Sequence, residues 1–138
     1  MAINKRIFKA YDIRGIYPSE LGGKTAFLIG QTCASYFRGG VFIVGYDARL
    51  SSRELLKSFL SGFRESAQKA GKKFKVRNIS LTTTPMFYFL VKRLKAVGGA
   101  MVTASHNPKE YNGFKIVGAK AKPISGKEIE KLMIGNRR

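Results

Sequence analysis

Tryptophan is absent and cysteine, histidine and carboxylates are scarce: one Cys, one His and eight Asp+Glu in 138 residues. A lone Cys33 excludes an internal disulfide and any cysteine-built metal cluster. A lone His106, next in sequence to Ser105 and with no Gly-x-Ser-x-Gly elbow in the chain, excludes a serine-hydrolase triad. Long hydrophobic runs are also missing. Nothing approaches the roughly 20 apolar residues of a membrane helix, and the first nine residues hold no apolar stretch long enough for a signal peptide. The expectation is a soluble, cytoplasmic domain with no membrane partner.

Set against 26 Lys+Arg, the few carboxylates leave a formal net charge of +18. On composition alone such a charge points to a polyanion such as nucleic acid. The cations are dispersed, however, in local clusters at 69–77, 92–95, 115–122 and Arg137-Arg138, without a basic tail or a repeat. No nucleic-acid-binding motif occurs, so a basic nucleic-acid- or partner-binding α/β module without catalysis is the alternative reading, resting on charge alone. A phosphorylated ligand also favours a positive field, yet needs far less than this.

What is present suffices for one core. Hydrophobic residues make up 44% and aromatics 12%, enough for a single domain over residues 1–138. Residues 7–11 suggest a short strand ending in a turn-like Asp12-Ile13-Arg14-Gly15. Ala26, Phe27, Gly30, Cys33, Ala34 and Phe37 recur at helical spacing, predicting a helix from Lys24 to about Phe37 with Cys33 on its core face. The run Val41-Phe42-Ile43-Val44 is that of an interior parallel strand. A helix follows, with Ser51 and Glu54 as its expected capping box. Residues 73–79 alternate as a strand, and Thr84-Pro85 is expected to start a helix with Phe87, Leu90, Val91 and Leu94 inward. Residues 97–102 form a buried strand, Phe114–Val117 another, and Ser125 begins a last charged helix running to Arg138. An Asn112-Gly113 turn between the last two strands implies an antiparallel pair. The fold class is therefore α/β, a three-layer α/β/α sandwich with a mixed, mostly parallel sheet.

Thr103-Ala104-Ser105-His106-Asn107-Pro108 leaves one of those strands, the place where α/β proteins gather reactive groups. Taken by itself, such a Ser-His-Asn-Pro stretch reads first as a polar loop joining two strands. Arg14 offers a planar fork suited to phosphate, with Asp12 placed to hold it, although an isolated Asp-Arg pair of this kind is more often a surface ion pair.

Residues 103–108, followed by Glu110-Tyr111-Asn112-Gly113-Phe114-Lys115, closely resemble the phosphoserine loop of the α-D-phosphohexomutases, the phosphoglucomutase and phosphomannomutase family. Tyr11-Asp12-Ile13-Arg14-Gly15 is similar to that family's N-terminal signature. Gly45, Asp47, Arg49 and Ser51-Ser52 resemble its Gly-Arg-Asp-x-Arg-x-Ser loop, with tyrosine at 46 in place of arginine. Asp47 and Arg49 are read as scaffolding. The Thr-Pro helix entry is similar too. The resemblance covers nearly the whole chain and corresponds to the first of the family's four domains. It implies a mutase interconverting hexose 1-phosphate and hexose 6-phosphate, with Ser105 carrying the phosphoryl group. Lys115 would act as acid/base or screen charge, His106 would orient or relay a proton, and Arg14 would clamp phosphate. Tyr11, Asn107, Arg14 and Lys115 would contact substrate. It implies Mg2+, for which the Ser105 phosphoryl group would be one ligand, and hexose 1,6-bisphosphate as intermediate. The remaining mutase domains are the implied partners, and with them missing the chain is expected to be inactive alone. Preference for glucose or mannose is not encoded in these residues.

Overall fold

The structure, a computed structural model, describes residues 3–136. The Arg137-Arg138 cluster and the end expected for the last helix lie outside them. The strands are β1 (Ile13–Ile16), β2 (Gly40–Tyr46), β3 (Phe74–Leu81), β4 (Gly98–Val102), β5 (Tyr111–Gly118) and β6 (Pro123–Ile124). The helices are α1 (Gly23–Tyr36), α2 (Ser52–Lys69), α3 (Thr84–Arg93) and α4 (Gly126–Asn136), with 3-10 turns at Lys5–Ile7 and Ala119–Ala121.

One sheet runs in the order β1-β5-β4-β2-β3, with β6 added to β5. It is mixed, as expected, but its parallel part is confined to β3-β2-β4. The pairings of β5 with β4, β1 and β6 are antiparallel. The expectation of a mostly parallel sheet thus holds for its β4-β2-β3 side alone, because β5 follows β4 through a loop with no crossover helix and so runs against both β4 and β1.

Three layers follow from alternation along β2. Phe42 and Val44 join α1, α2 and α4 residues such as Ile29, Phe59 and Met133 on one face. Ile43 joins Phe87 and Val91 of α3 on the other. With both faces covered, β2 reads as a continuous apolar run rather than an alternating one. Helices α1 and α2 pack through glycine. A Cβ on Gly30 would strike the Phe59 carbonyl, and one on Gly62 the Phe27 carbonyl. Cys33 is wholly buried on this face, as its helical spacing predicts, and burial pushes its thiol pKa up.

Several local expectations are corrected. Residues 7–11 are not a strand: Lys5–Ile7 is a 3-10 turn capped by Asn4, and consecutive Ile7 and Phe8 are both buried instead of alternating. The strand is Ile13–Ile16, paired with β5 where Gly113 lets the Ile13 carbonyl come close. The Ser51–Glu54 capping box does not form, since Ser51 Oγ accepts from Asn112 Nδ2 at 2.8 Å instead. The cap of α3 is Thr83, whose hydroxyl accepts from Met86 N at 3.3 Å, while Thr84 Oγ1 donates to Met101 Sδ. Leu94 lies at the end of α3, 43% exposed, rather than inward. Asn112-Gly113 is not a turn but part of β5. The connection is the longer loop 103–110, and the antiparallel pairing of β4 with β5 stands. Ser125 does cap α4, accepting from Glu128 N.

Candidate active site

Loop 103–110 leaves the carboxyl end of β4 beside the carboxyl end of β2, where Asp47 N donates to the Val102 carbonyl at 3.0 Å. Asn107 N donates to the Ala104 carbonyl at 3.1 Å, closing a tight turn with Ser105 and His106 at its exposed tip. Ser105 sits at φ +55°, in the left-handed region, with its N–H donating to Thr103 Oγ1 at 3.0 Å. A left-handed serine costs about 1 kcal/mol and persists only where the surroundings enforce it.

Arg49 supplies that enforcement. Its Nη2 donates to the Ser105 carbonyl at 3.0 Å and to the Asn107 carbonyl at 2.7 Å. Its Nη1 donates to the carbonyls of Pro108, at 2.6 Å, and Tyr111, at 3.1 Å. Nε faces Asp47 Oδ2 at 3.4 Å. Asp47 is fixed in turn, its Oδ1 accepting from Arg49 N at 3.1 Å and Ser52 Oγ at 2.6 Å. Fully buried Asn112 donates to both Ser51 and Ser52 hydroxyls. The scaffolding read for Asp47 and Arg49 is what the geometry shows. Sequence gave no sign of Asn112 in this network, because Asn-Gly reads first as a turn.

A second cluster meets the loop at Asn107. Asp12, with its side chain 1% exposed, accepts from Arg14 Nε through both oxygens, at 2.9 and 2.8 Å, and lies 3.5 Å from Lys115 Nζ. Arg14 Nη1 also donates to Asn107 Oδ1 at 2.7 Å. Of the residues singled out from sequence, Arg14, Lys115 and Asn107 are therefore brought together around Asp12. Tyr11 is 80% exposed and lines, with Lys9, Arg14, Asn107 and Tyr111, an open cleft of about 470 Å³. His106 is exposed at the loop tip. Tyr88 of α3 was not anticipated: its hydroxyl pKa is raised, first by burial and then by the charge of Asp12.

Along the cleft Arg6, Lys9 and Arg14 outnumber Asp12 and Glu20, and Asn107 brings the Ser105 loop to its wall, a setting for a phosphorylated anion. Among the described residues, no group of three or more His, Cys, Asp or Glu converges to hold a metal ion. The donors present thus do not by themselves fit Mg2+, which takes six hard oxygen ligands. Most of the net charge lies elsewhere. No carboxylate occurs between Glu65 and Glu110, and exposed Lys73, Lys75, Lys92, Arg93 and Lys95 gather where Gly40 N meets the Lys73 carbonyl and Val97 N the Val41 carbonyl. That is the amino end of the parallel strands, opposite the cleft. No helix here is long and apolar enough to cross a membrane, among the described residues.

A sequence model of the family described as phosphoglucomutase/phosphomannomutase, alpha/beta/alpha domain I, matches residues 5–135. A curated relative from Xanthomonas campestris pv. campestris, named phosphohexose mutases, is 45% identical over 118 residues, covering 86% of this chain and 25% of its own length. A phosphomannomutase from Escherichia coli is 39% identical over 134 residues, covering 94% of this chain and 28% of its own. Among solved structures, a phosphoglucomutase/phosphomannomutase family protein from Burkholderia thailandensis superposes with a TM-score of 0.82 at 33% identity, over 99% of this chain and 31% of that one. The chain spans about a quarter of the length of these curated relatives.

Proposed function

The chain belongs to the phosphoglucomutase/phosphomannomutase family, as its domain I, and on that premise we propose that Ser105 is the phosphoryl carrier of a cytoplasmic mutase interconverting hexose 1-phosphate and hexose 6-phosphate. The observation that carries this reading is the left-handed Ser105, held at an exposed loop tip whose Asn107 lines a cationic cleft.

Phosphoryl transfer asks mainly for in-line placement and neutralised charge. In the first step the Ser105 Oγ–P bond breaks and a bond forms from phosphorus to a sugar hydroxyl oxygen. The hydroxyl proton passes to a base and the electron pair of the broken bond returns to Oγ. The hexose 1,6-bisphosphate then turns over in the cleft, and its other phosphoryl group is transferred back to Ser105. Lys115, held by Asp12, would exchange the proton or screen charge. Arg14, held at Nε and Nη1, keeps the rest of its fork for phosphate. Asn107 anchors the loop to Arg14, His106 orients or relays a proton at the loop tip, and Tyr11 lines the substrate side. Mg2+ would meet the Ser105 phosphoryl group as one ligand, its other ligands coming from outside this chain. Those ligands, and the groups that choose glucose or mannose, belong to further mutase domains, so the 138-residue chain alone turns over no hexose phosphate.

The test is phosphoryl transfer from the phosphorylated protein to hexose 6-phosphate, followed as loss of phosphate from the Ser105 peptide and gain of bisphosphate. Coupled loss and gain, absent from Ser105→Ala, is expected. Transfer that survives Ser105→Ala contradicts the role of Ser105, and turnover by the chain alone contradicts its dependence on other domains.

A further inference from the structure

We propose that Arg49 is the positioning residue for Ser105, and that it acts on the loop backbone alone and binds no phosphate. The inference rests on the reading of Ser105 as phosphoryl carrier. An arginine has five N–H donors in a rigid fork. Here both N–H of Nη1 go to the carbonyls of Pro108 and Tyr111, and both of Nη2 to those of Ser105 and Asn107. Nε faces Asp47. The fork is fully used, and its side chain is 14% exposed against 34% for Arg14.

The two arginines beside the serine therefore divide the work. Arg14, which lines the cleft, spends Nε on Asp12 and one Nη1 donor on Asn107, which leaves three N–H groups of its fork without a bond among the described residues. Arg49 has none to give an anion. It touches the loop only through main-chain carbonyls, so the side chains of Ser105 and His106 stay available to substrate. Its far end is fixed to the sheet: Asp47 holds Nε, and Asp47 N is bonded to the Val102 carbonyl of β4. The strap thus sets the distance between the Ser105 turn and the ends of β2 and β4. A lysine in its place keeps the charge but offers a compact three-donor ammonium that does not span four carbonyls. Charge and positioning are separable on that ground.

The experiment compares wild type with Arg49→Lys and Arg49→Met. Amide exchange and the Ser105 backbone chemical shifts are read in the 138-residue chain, and Ser105 phosphate occupancy in the protein purified from its host. Both variants are expected to speed exchange of the 103–111 amides by about tenfold or more, while β2, β4 and α2 keep their protection. Ser105 shifts should leave the left-handed range, and phosphate occupancy should fall by about a hundredfold, the scale of a misplaced reacting group. Unchanged loop exchange in Arg49→Met overturns the proposal, and so does rescue of loop order or occupancy by Arg49→Lys, which would make charge the function of Arg49. A wild-type protein without Ser105 phosphate contradicts the carrier reading alone. The exchange comparison still decides whether Arg49 holds the loop.

Discussion

Arg14 Nη1 donates to Asn107 Oδ1 at 2.7 Å, across 93 residues of sequence. This bond ties the edge strand β1 to the loop that carries Ser105. It exists because Asp12 has already oriented the guanidinium through Nε. The cleft is thus organised by a buried carboxylate, with Arg14 and Lys115 hung on it.

Asp12→Asn tests that arrangement. The variant keeps the shape and removes the charge shared by Arg14 and Lys115, leaving a cation without its partner. A loss of roughly 1–3 kcal/mol is expected in urea unfolding, the usual cost of stranding a buried group. Tyr88 gives a second readout. Its pKa should move down, though not back to the ordinary tyrosine value, because burial is the larger cause of its shift. An unchanged phenol titration would place Asp12 outside its reach.

Ser105 separates conformational cost from chemistry. At φ +55° glycine is at ease and alanine is not. Ser105→Gly should therefore unfold later than Ser105→Ala, by about 0.5–1 kcal/mol. Both should lack the phosphate. Equal stabilities would mean that the residue is not left-handed in solution.

The fold was legible wherever one physical signal dominated. Val41–Val44 had no choice but an interior strand, and the stripe Leu55, Leu56, Phe59, Leu60 and Phe63 no choice but a buried helix face. Errors fell where a polar side chain had two possible partners. Ser51 was free to cap α2 or to meet Asn112, and only the fold brings Asn112 near. Asn112-Gly113 carries turn chemistry, yet its glycine is required by the close approach of β1. The site shows the same division. Ser105, Arg14, Asn107 and Lys115 were visible because they sit in distinctive motifs. The four-carbonyl grip of Arg49 was not, because carbonyls carry no sequence identity.

Gly30 and Gly62 hold α1 against α2 by letting each helix meet the other's backbone. Gly30→Ala should cost roughly 1–3 kcal/mol, the range for overpacking. Gly135→Ala in α4, where a Cβ meets nothing within 4 Å, should instead gain roughly 0.5–1 kcal/mol. Thermal melts of the two variants, shifted in opposite directions, check the packing.

Cys33 predicts an alkaline limit to stability. In the unfolded chain the thiol ionises near its ordinary value of about 8.5, while in the folded chain burial keeps it neutral. The unfolded state therefore sheds its proton first. This contribution is fully present below about pH 8.5 and is lost by about 1.4 kcal/mol per pH unit above it. Urea melts of wild type and Cys33→Ala across that range should diverge with this slope, and parallel curves would contradict it.

The central claim is that Ser105 carries the phosphoryl group, and the most direct measurement is the intact mass of the protein from its host, with peptide mapping of phosphate. One phosphate, on Ser105 and absent from Ser105→Ala, is the result expected. An unphosphorylated Ser105, or phosphate mapped only to other residues, would contradict it.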